Sequence, residues 1–227
     1  MPLQITEIFQ SLQGESTHAG CPCVFVRLTG CNLRCVWCDT EYAFYGGRRM
    51  QRAEVLAAVT AYPAPLVEIT GGEPMLQAAE VIALCRELIA AGRSVLIETS
   101  GERDLAGLPP AAMKIVDVKC PGSGEGGSFR LANLDLLGPR DEVKFVVASR
   151  EDYEFARAFI RDHDLPRRTP HLHLSPAFRK DAAGLRGADQ CLLDPRQLAE
   201  WILADALPAR LSLQIHKFIW DPALHGV

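Results

Sequence analysis

The sequence predicts an α/β chain folded as an incomplete (β/α) barrel with reduced helix content, in one domain spanning residues 1–227. Three observations carry this. Short runs rich in Val, Ile and Leu, bounded by turn residues, recur at 3–9, 23–28, 66–70, 94–98, 114–118, 142–147, 171–174 and 210–215. Several are separated by stretches with apolar residues at helical spacing, and such alternation around continuously apolar strands gives a parallel sheet covered by helices. The helical stretches are fewer than the strands, so the barrel is trimmed.

Taken in order, 3–9 and 23–28 open the chain as strands, and 52–61 reads as the first helix. The strand at 66–70 leads into a helix over 77–91, whose apolar positions Val81, Ile82, Cys85, Leu88 and Ile89 stop at Gly92. Strands at 94–98 and 114–118 follow. The glycine-rich stretch 119–128 after them carries no helical pattern. Beyond the strand at 142–147 come a helix over 153–162 and a strand over 171–174. A helix over 195–206 has Asp194 as N-cap and Pro195 at its first position, and the last strand is 210–215.

With 227 residues, 48% hydrophobic and 23% charged, the chain is long enough to bury a sizeable core. A net charge of −4 argues against an electrostatic grip on nucleic acid or an anionic membrane. No apolar run reaches membrane-spanning length, and the basic-then-apolar pattern of a signal peptide is missing. Eight cysteines in this context predict a reducing, cytoplasmic location rather than a disulfide framework.

Three of those cysteines decide the chemistry: Cys31-Asn-Leu-Arg-Cys35-Val-Trp-Cys38, at C-x3-C-x2-C spacing. Three thiolates predict a [4Fe–4S] cluster with one iron left open for a small ligand, where four would saturate it. A structural zinc site completed by Asp39 or His18 is the rival, although zinc motifs usually come as separated pairs and no second C-x2-C occurs. Reduced core cysteines are the blander rival. Cys85 fits that description, while Cys21 and Cys23 make only a weak case for a second cluster.

In barrels the active site gathers at the C-terminal ends of the strands. Here those ends carry Thr70-Gly71-Gly72-Glu73-Pro74, Thr99-Ser100-Gly101, Lys119-Cys120-Pro121-Gly122-Ser123-Gly124, Ser175-Pro176 and Gln214-Ile215-His216-Lys217. Paired glycines let a ligand approach the backbone and leave amide donors exposed, and Glu73 offers a carboxylate to an ammonium group. Read alone, Gly-Gly-Glu-Pro is an ordinary turn before a helix.

The cysteine motif, with Trp37 before its third cysteine and a strand ending Gly-Gly-Glu-Pro downstream, resembles the radical S-adenosylmethionine superfamily. Gln13-Gly14-Glu15, Arg27, Asp39-Thr40, the Lys119–Gly124 stretch and Gln214-x-His216-Lys217 narrow the resemblance. Together, and over almost the whole chain, they resemble the 7-carboxy-7-deazaguanine synthases of queuosine biosynthesis. That resemblance implies conversion of 6-carboxy-5,6,7,8-tetrahydropterin to 7-carboxy-7-deazaguanine with loss of ammonia. It also implies Mg2+ dependence, a homodimer, and an electron donor such as flavodoxin or ferredoxin. Cys31, Cys35 and Cys38 would hold the cluster, and Thr40 the Mg2+. S-Adenosylmethionine would contact Trp37, Cys38, Asp39, Gly72, Glu73, Ser100, Lys119, Cys120, Pro121 and Ser123, with 174–177 a weaker candidate. Leu12, Gln13, Gly14, Glu15, Arg27 and Thr70 would hold the pterin. The family's 5′-deoxyadenosyl radical would take the substrate hydrogen and later return it, regenerating S-adenosylmethionine.

Two features depart from the family pattern. Ser16 stands where glycine is common, and the chain continues past Lys217 to Val227, which raises the question of which residue closes over the substrate. A glycyl-radical-activating enzyme shares the cysteine spacing but has no use for Glu15, Arg27 and Thr40 together. A zinc-stabilised binding module would be colourless where a cluster protein is brown.

Overall fold

A computed structural model describes every residue except 181, 183, 222, 223 and 227. The chain opens with an antiparallel pair, β1 (Leu3–Leu12) and β2 (Pro22–Leu28). Then come β3 (Arg48–Met50), α1 (Arg52–Thr60), β4 (Leu66–Gly71), α2 (Ala78–Ala90), β5 (Ser94–Thr99) and β6 (Met113–Asp117). The second half supplies β7 (Glu142–Val147), α3 (Arg150–Asp162), α4 (Leu165–Arg168), β8 (His171–Pro176), α5 (Pro195–Ala204), β9 (Arg210–Leu211) and α6 (His216–Ile219).

Among the described residues, the nine strands join one sheet in the order β3-β1-β2-β4-β5-β6-β7-β8-β9. From β2 to β9 the neighbours are parallel, while β1 runs antiparallel to both β2 and β3. The sheet does not close on itself, so this is the incomplete barrel that the strand–helix pattern predicts. The connections from β5 to β6 and from β6 to β7 hold no α-helix among the described residues; the second carries only the 3-10 turns Pro121–Ser123 and Leu131–Leu136. These two crossovers account for the helix deficit.

Three element expectations need correction. β3 was not anticipated, because three residues carry no periodicity. The strand expected at 210–215 pairs over only two residues. After Ser212 donates its N–H to Leu174 O (2.9 Å), the chain leaves the sheet and turns into α6. Nor are the strands uniformly apolar. Each sends alternate side chains to opposite faces, and the two faces differ in polarity.

The outer face is mostly apolar, with Lys114 of β6, paired with Asp141, the exception on that strand. Val24, Val26 and Leu28 of β2, Val67 and Ile69 of β4, Val95 and Ile97 of β5, and Val143, Phe145 and Val147 of β7 share one core with the buried positions of α1, α2, α3 and α5. Burying each such side chain stabilises the fold by roughly 1.5–3 kcal/mol. α5 starts as the sequence predicts: Asp194 Oδ1 accepts the Arg196 N–H at 2.9 Å. Cys85 of α2 belongs to this core.

On the inner face, Cys23, Phe25, Leu66, Leu96 and Ile115 form a small apolar floor, with Phe9 stacked on Phe25 at 5.1 Å. Nearer the C-terminal strand ends the same face turns polar, presenting Arg27, Thr70, Glu98, Asp117 and Lys144. This change of polarity positions the site.

Candidate active site at the mouth of the barrel

The polar end of the barrel interior opens into a cavity of ≈ 270 Å³. Along one wall lie Cys31, Cys35 and Cys38, all half-buried, in the loop after β2. The loop is clamped from two sides. Cys38 N–H donates to Cys35 O (3.1 Å), Val36 N–H to Ser123 O (3.0 Å), and Glu73 N–H to Gly30 O (2.8 Å). Glycine is obligatory at the second clamp: a Cβ on Gly72 would lie 2.3 Å from Gly30 O and 2.6 Å from Cys31 Cβ. Burial pushes all three thiols up, Cys35 to about 11 with the Lys119 ammonium opposing, so as free thiols they are protonated.

Trp37, Cys38, Asp39, Thr40, Gly72, Ser100 and Lys119 line the cavity beside the cysteines. Thr40 Oγ1 donates to Asp39 Oδ1 (2.8 Å), and Asp39 also forms an ion pair with Lys217. Lys119 Nζ bonds Asp117 Oδ2 at 2.7 Å.

Glu73 is 1% exposed and its carboxylate is hydrogen-bonded to neighbouring residues. Oε1 accepts the Met75 N–H (2.9 Å) and Thr99 Oγ1 (2.7 Å), while Oε2 accepts the Ser100 N–H (2.8 Å) and Ser100 Oγ (2.7 Å). Cys120, Pro121 and Ser123 also lie outside the cavity lining, as do residues 174–177. Ser123 Oγ instead donates to Cys120 O (2.6 Å), and Gly122 N–H to Asp152 Oδ1 (2.7 Å), which fixes the loop that presents Lys119.

The opposite wall comes from β1, β2 and β4. Leu12, Gln13, Gly14, Glu15, Arg27 and Thr70 all line it. Arg27 Nε donates to Glu7 Oε1 (2.8 Å), and its guanidinium lies over the rings of Phe9 and Tyr42 at 6.0 and 5.9 Å. Gln13 Nε2 donates to Glu68, and Gln13 Oε1 accepts the Glu15 N–H at 2.6 Å. Gly14 O takes the Ile215 N–H at 2.9 Å, which binds this loop to the C-terminal segment.

Several cavity residues are absent from the site the sequence points to. Glu98, Glu68 and Lys144 lie inside strands rather than at their ends, and Asp117 is the last residue of β6. Lys144 Nζ is 2.8 Å from Glu15 Oε2, pairs with Glu98, and stands 3.8 Å from Asp117 Oδ2. Burial works against ionisation of Glu15, but Lys144, His216 and Lys217 hold its carboxyl below the usual carboxylate range. Glu68 goes the other way: burial and the Glu98 and Glu15 carboxylates push it well above that range. The C-terminal segment covers the mouth with Trp220, Leu224 and His225, the last stacked on Tyr42 at 4.0 Å. Val227 lies outside the described residues.

Comparison with known proteins follows the same lines. Residues 25–162 match the family model described as the radical SAM superfamily. The chain is 60% identical to the 7-carboxy-7-deazaguanine synthase of Koribacter versatilis over 226 residues, 99% of this chain and 100% of that one. The chain belongs to this family. A second 7-carboxy-7-deazaguanine synthase, from Chlorobaculum tepidum, is 42% identical over 100% of this chain and 98% of its own. The crystal structure of QueE from Escherichia coli superposes with a TM-score of 0.71 at 27% identity, covering 94% of each chain.

The residues present suit the cofactors of a radical SAM enzyme. Among the described residues, no three His, Cys, Asp or Glu side chains gather as the ligands of a single ion would. A cluster would offer each of the three thiolates its own iron. Two buried acceptors on cavity-lining residues, Asp117 Oδ1 and Gln214 Oε1, have no hydrogen-bond partner among the described residues, as expected where a ligand supplies the donors.

Proposed function

We propose that this chain converts 6-carboxy-5,6,7,8-tetrahydropterin to 7-carboxy-7-deazaguanine with loss of ammonia, a carbon–nitrogen lyase step of queuosine biosynthesis. The observation that carries the reading is that one cavity brings together three cysteines, a guanidinium and a pair of carboxylates. When bound, a [4Fe–4S] cluster and S-adenosylmethionine supply a 5′-deoxyadenosyl radical, the hard chemistry that the fold has only to position and shield.

Cys31, Cys35 and Cys38 would hold the cluster. Gly72, with Ser100 held by Glu73, would present backbone and hydroxyl groups to the methionine end of S-adenosylmethionine. Trp37, Cys38, Asp39 and Lys119 would line the rest of its path. Cys120, Pro121 and Ser123 support this site by shaping the loop that carries Lys119.

On the opposite wall Arg27 suits the substrate carboxylate, since its fork can bind both oxygens and Glu7 and Tyr42 fix its orientation. Glu15 and Glu98 would accept from the N–H donors of the pterin's pyrimidine edge, with Leu12, Gln13, Gly14 and Thr70 packing round the ring. Thr40 would be the chain's ligand to Mg2+, with substrate and water completing a set of hard oxygen donors. His225 stacked on Tyr42 supports a C-terminal cover that excludes water. We read residues 1–227 as one domain on the strength of the single sheet, acting as a cytoplasmic homodimer reduced by a flavodoxin or ferredoxin.

The test is anaerobic reconstitution with iron and sulfide. Incubation then follows with S-adenosylmethionine, reductant, Mg2+ and 6-carboxytetrahydropterin, read by mass spectrometry. Formation of 7-carboxy-7-deazaguanine without matching accumulation of 5′-deoxyadenosine is the expected result. A brown protein that cleaves S-adenosylmethionine but leaves the pterin intact sinks the substrate assignment. Cys35→Ser is expected to lose the cluster absorbance and all turnover.

A further inference from the structure

Lys144 is the least exposed cation of the cavity wall: its side chain is 5% exposed, against 16% for the Glu15 and 25% for the Glu98 carboxylate that it meets. It therefore stands behind the two carboxylates, from β7, and reaches one on the loop after β1 and one on β5. Among the described residues, neither carboxylate has another cation within ion-pair distance. Lys119, the next ammonium in the barrel, is bonded to Asp117, and Lys217 is bonded to Asp39. His216 also faces Glu15 from the C-terminal segment and helps to lower its carboxyl, while burial lowers the proton affinity of His216 itself. Glu68 presses on both acids from β4. Gln214 Nε2 donates to Glu15 Oε1 at 2.8 Å, which steers that group but brings no charge.

Resting on the pterin reading above, we infer that Lys144 is a positioning residue. It holds the Glu15 and Glu98 carboxyls side by side as a pair of acceptors for the N–H donors of an aminopyrimidinone edge. Lys144 does not itself touch the substrate. Without it, three carboxyls crowd one buried site, and such groups protonate rather than stay charged together. A protonated carboxyl donates where the substrate needs an acceptor, so the lysine sets both affinity and ring specificity.

The experiment uses the reconstituted holoenzyme and its Lys144→Met and Lys144→Arg variants, with kcat and KM for 6-carboxytetrahydropterin measured from about pH 6 to about pH 8. Lys144→Met is expected to raise KM about tenfold near pH 7, the worth of one charge-assisted hydrogen bond, while kcat falls by no more than about threefold. Its KM should fall again as pH rises and the carboxyls ionise, whereas the parent's KM stays flat. Lys144→Arg, which keeps the cation, should recover most of the loss.

S-Adenosylmethionine affinity, read by calorimetry, should be the same in all three proteins. An unchanged KM in Lys144→Met overturns the inference, and so does a loss that is independent of pH and equal in Lys144→Arg. If Lys144→Met does not yield cluster-loaded protein, Lys144→Gln replaces it with the same expected and overturning results. A parent enzyme that makes no 7-carboxy-7-deazaguanine sinks the pterin reading instead.

Discussion

Glu73 acts through its neighbours. Its carboxylate gathers four donors from two segments, so that Ser100 is held on the rim of the cavity by a side chain that never reaches it. Replacing one acceptor oxygen by an amide donor turns an NH2 group towards hydroxyls and amides that also donate. Glu73→Gln is therefore expected to cost about 1–3 kcal/mol of stability and to weaken S-adenosylmethionine binding about tenfold. Urea unfolding and calorimetry measure the two effects, and a variant indistinguishable from the parent in both would sink the assignment. Ser16 is a second single-residue matter. Its φ of 63° is the left-handed conformation that glycine adopts freely, and its Oγ accepts the His18 N–H at 3.1 Å, which offsets part of the strain. The departure flagged in the sequence thus leaves the turn intact. A valine side chain offers no such bond and suffers the full clash, so Ser16→Val should lower the free energy of unfolding by about 1–2 kcal/mol where Ser16→Gly changes it little.

At the scale of elements, the loop after β1 is what makes the barrel interior a site. It leaves the edge of the sheet, turns inward, and delivers Gln13 to β4, Glu15 to β7 and Gly14 to the C-terminal segment. A Cβ added at Gly14 would lie 1.8 Å from His216 Nδ1, so Gly14→Ala must displace either the imidazole or the loop. We expect a substrate KM raised about tenfold with the cluster absorbance untouched, and a normal KM would show that the contact is incidental. The strand ends and the cysteine loop were legible because their signals are local: a spacing, a pair of glycines, a break in an apolar run. The interior residues were legible in principle. Glu68 in Leu66–Gly71, Glu98 in Ser94–Thr99, Asp117 in Met113–Asp117 and Lys144 in Glu142–Val147 each interrupt an apolar strand on its inward face. Reading those strands as continuously apolar hid the alternation. What no local pattern held was that one lysine would serve carboxylates from two distant segments, or that Glu73 would be spent on its own scaffold. Both depend on strands brought together by the sheet order.

For the whole molecule, an open sheet leaves the β1 side unpaired with β9, and buried polar ties between the two halves take the place of the missing ladder. The most enclosed of these is Glu142 of β7. Its Oε1 accepts from Thr17 Oγ1 at 2.6 Å, both oxygens stand 3.1 Å from the Thr17 N–H, and Oε2 is 2.8 Å from His173 Nε2. Burial opposes ionisation of Glu142, but the contacts with His173 and Thr17 outweigh it and hold the carboxyl below its ordinary value of 4.5. A group whose folded value is depressed contributes stability that is present above the unfolded value and lost as pH falls through the folded one. Glu15 acts in the same direction. Glu68, raised by burial and its acidic neighbours, opposes them at neutral pH. Glu142→Gln removes the charge and keeps a single acceptor oxygen, and it should cost about 1–3 kcal/mol at pH 7. The gap between parent and variant should then narrow as pH drops below about 4.5, because the parent carboxyl protonates and loses what the variant never had. Urea midpoints at neutral and acid pH give the comparison. A gap that stays constant across that range would mean that shape, not charge, holds the loop to the barrel.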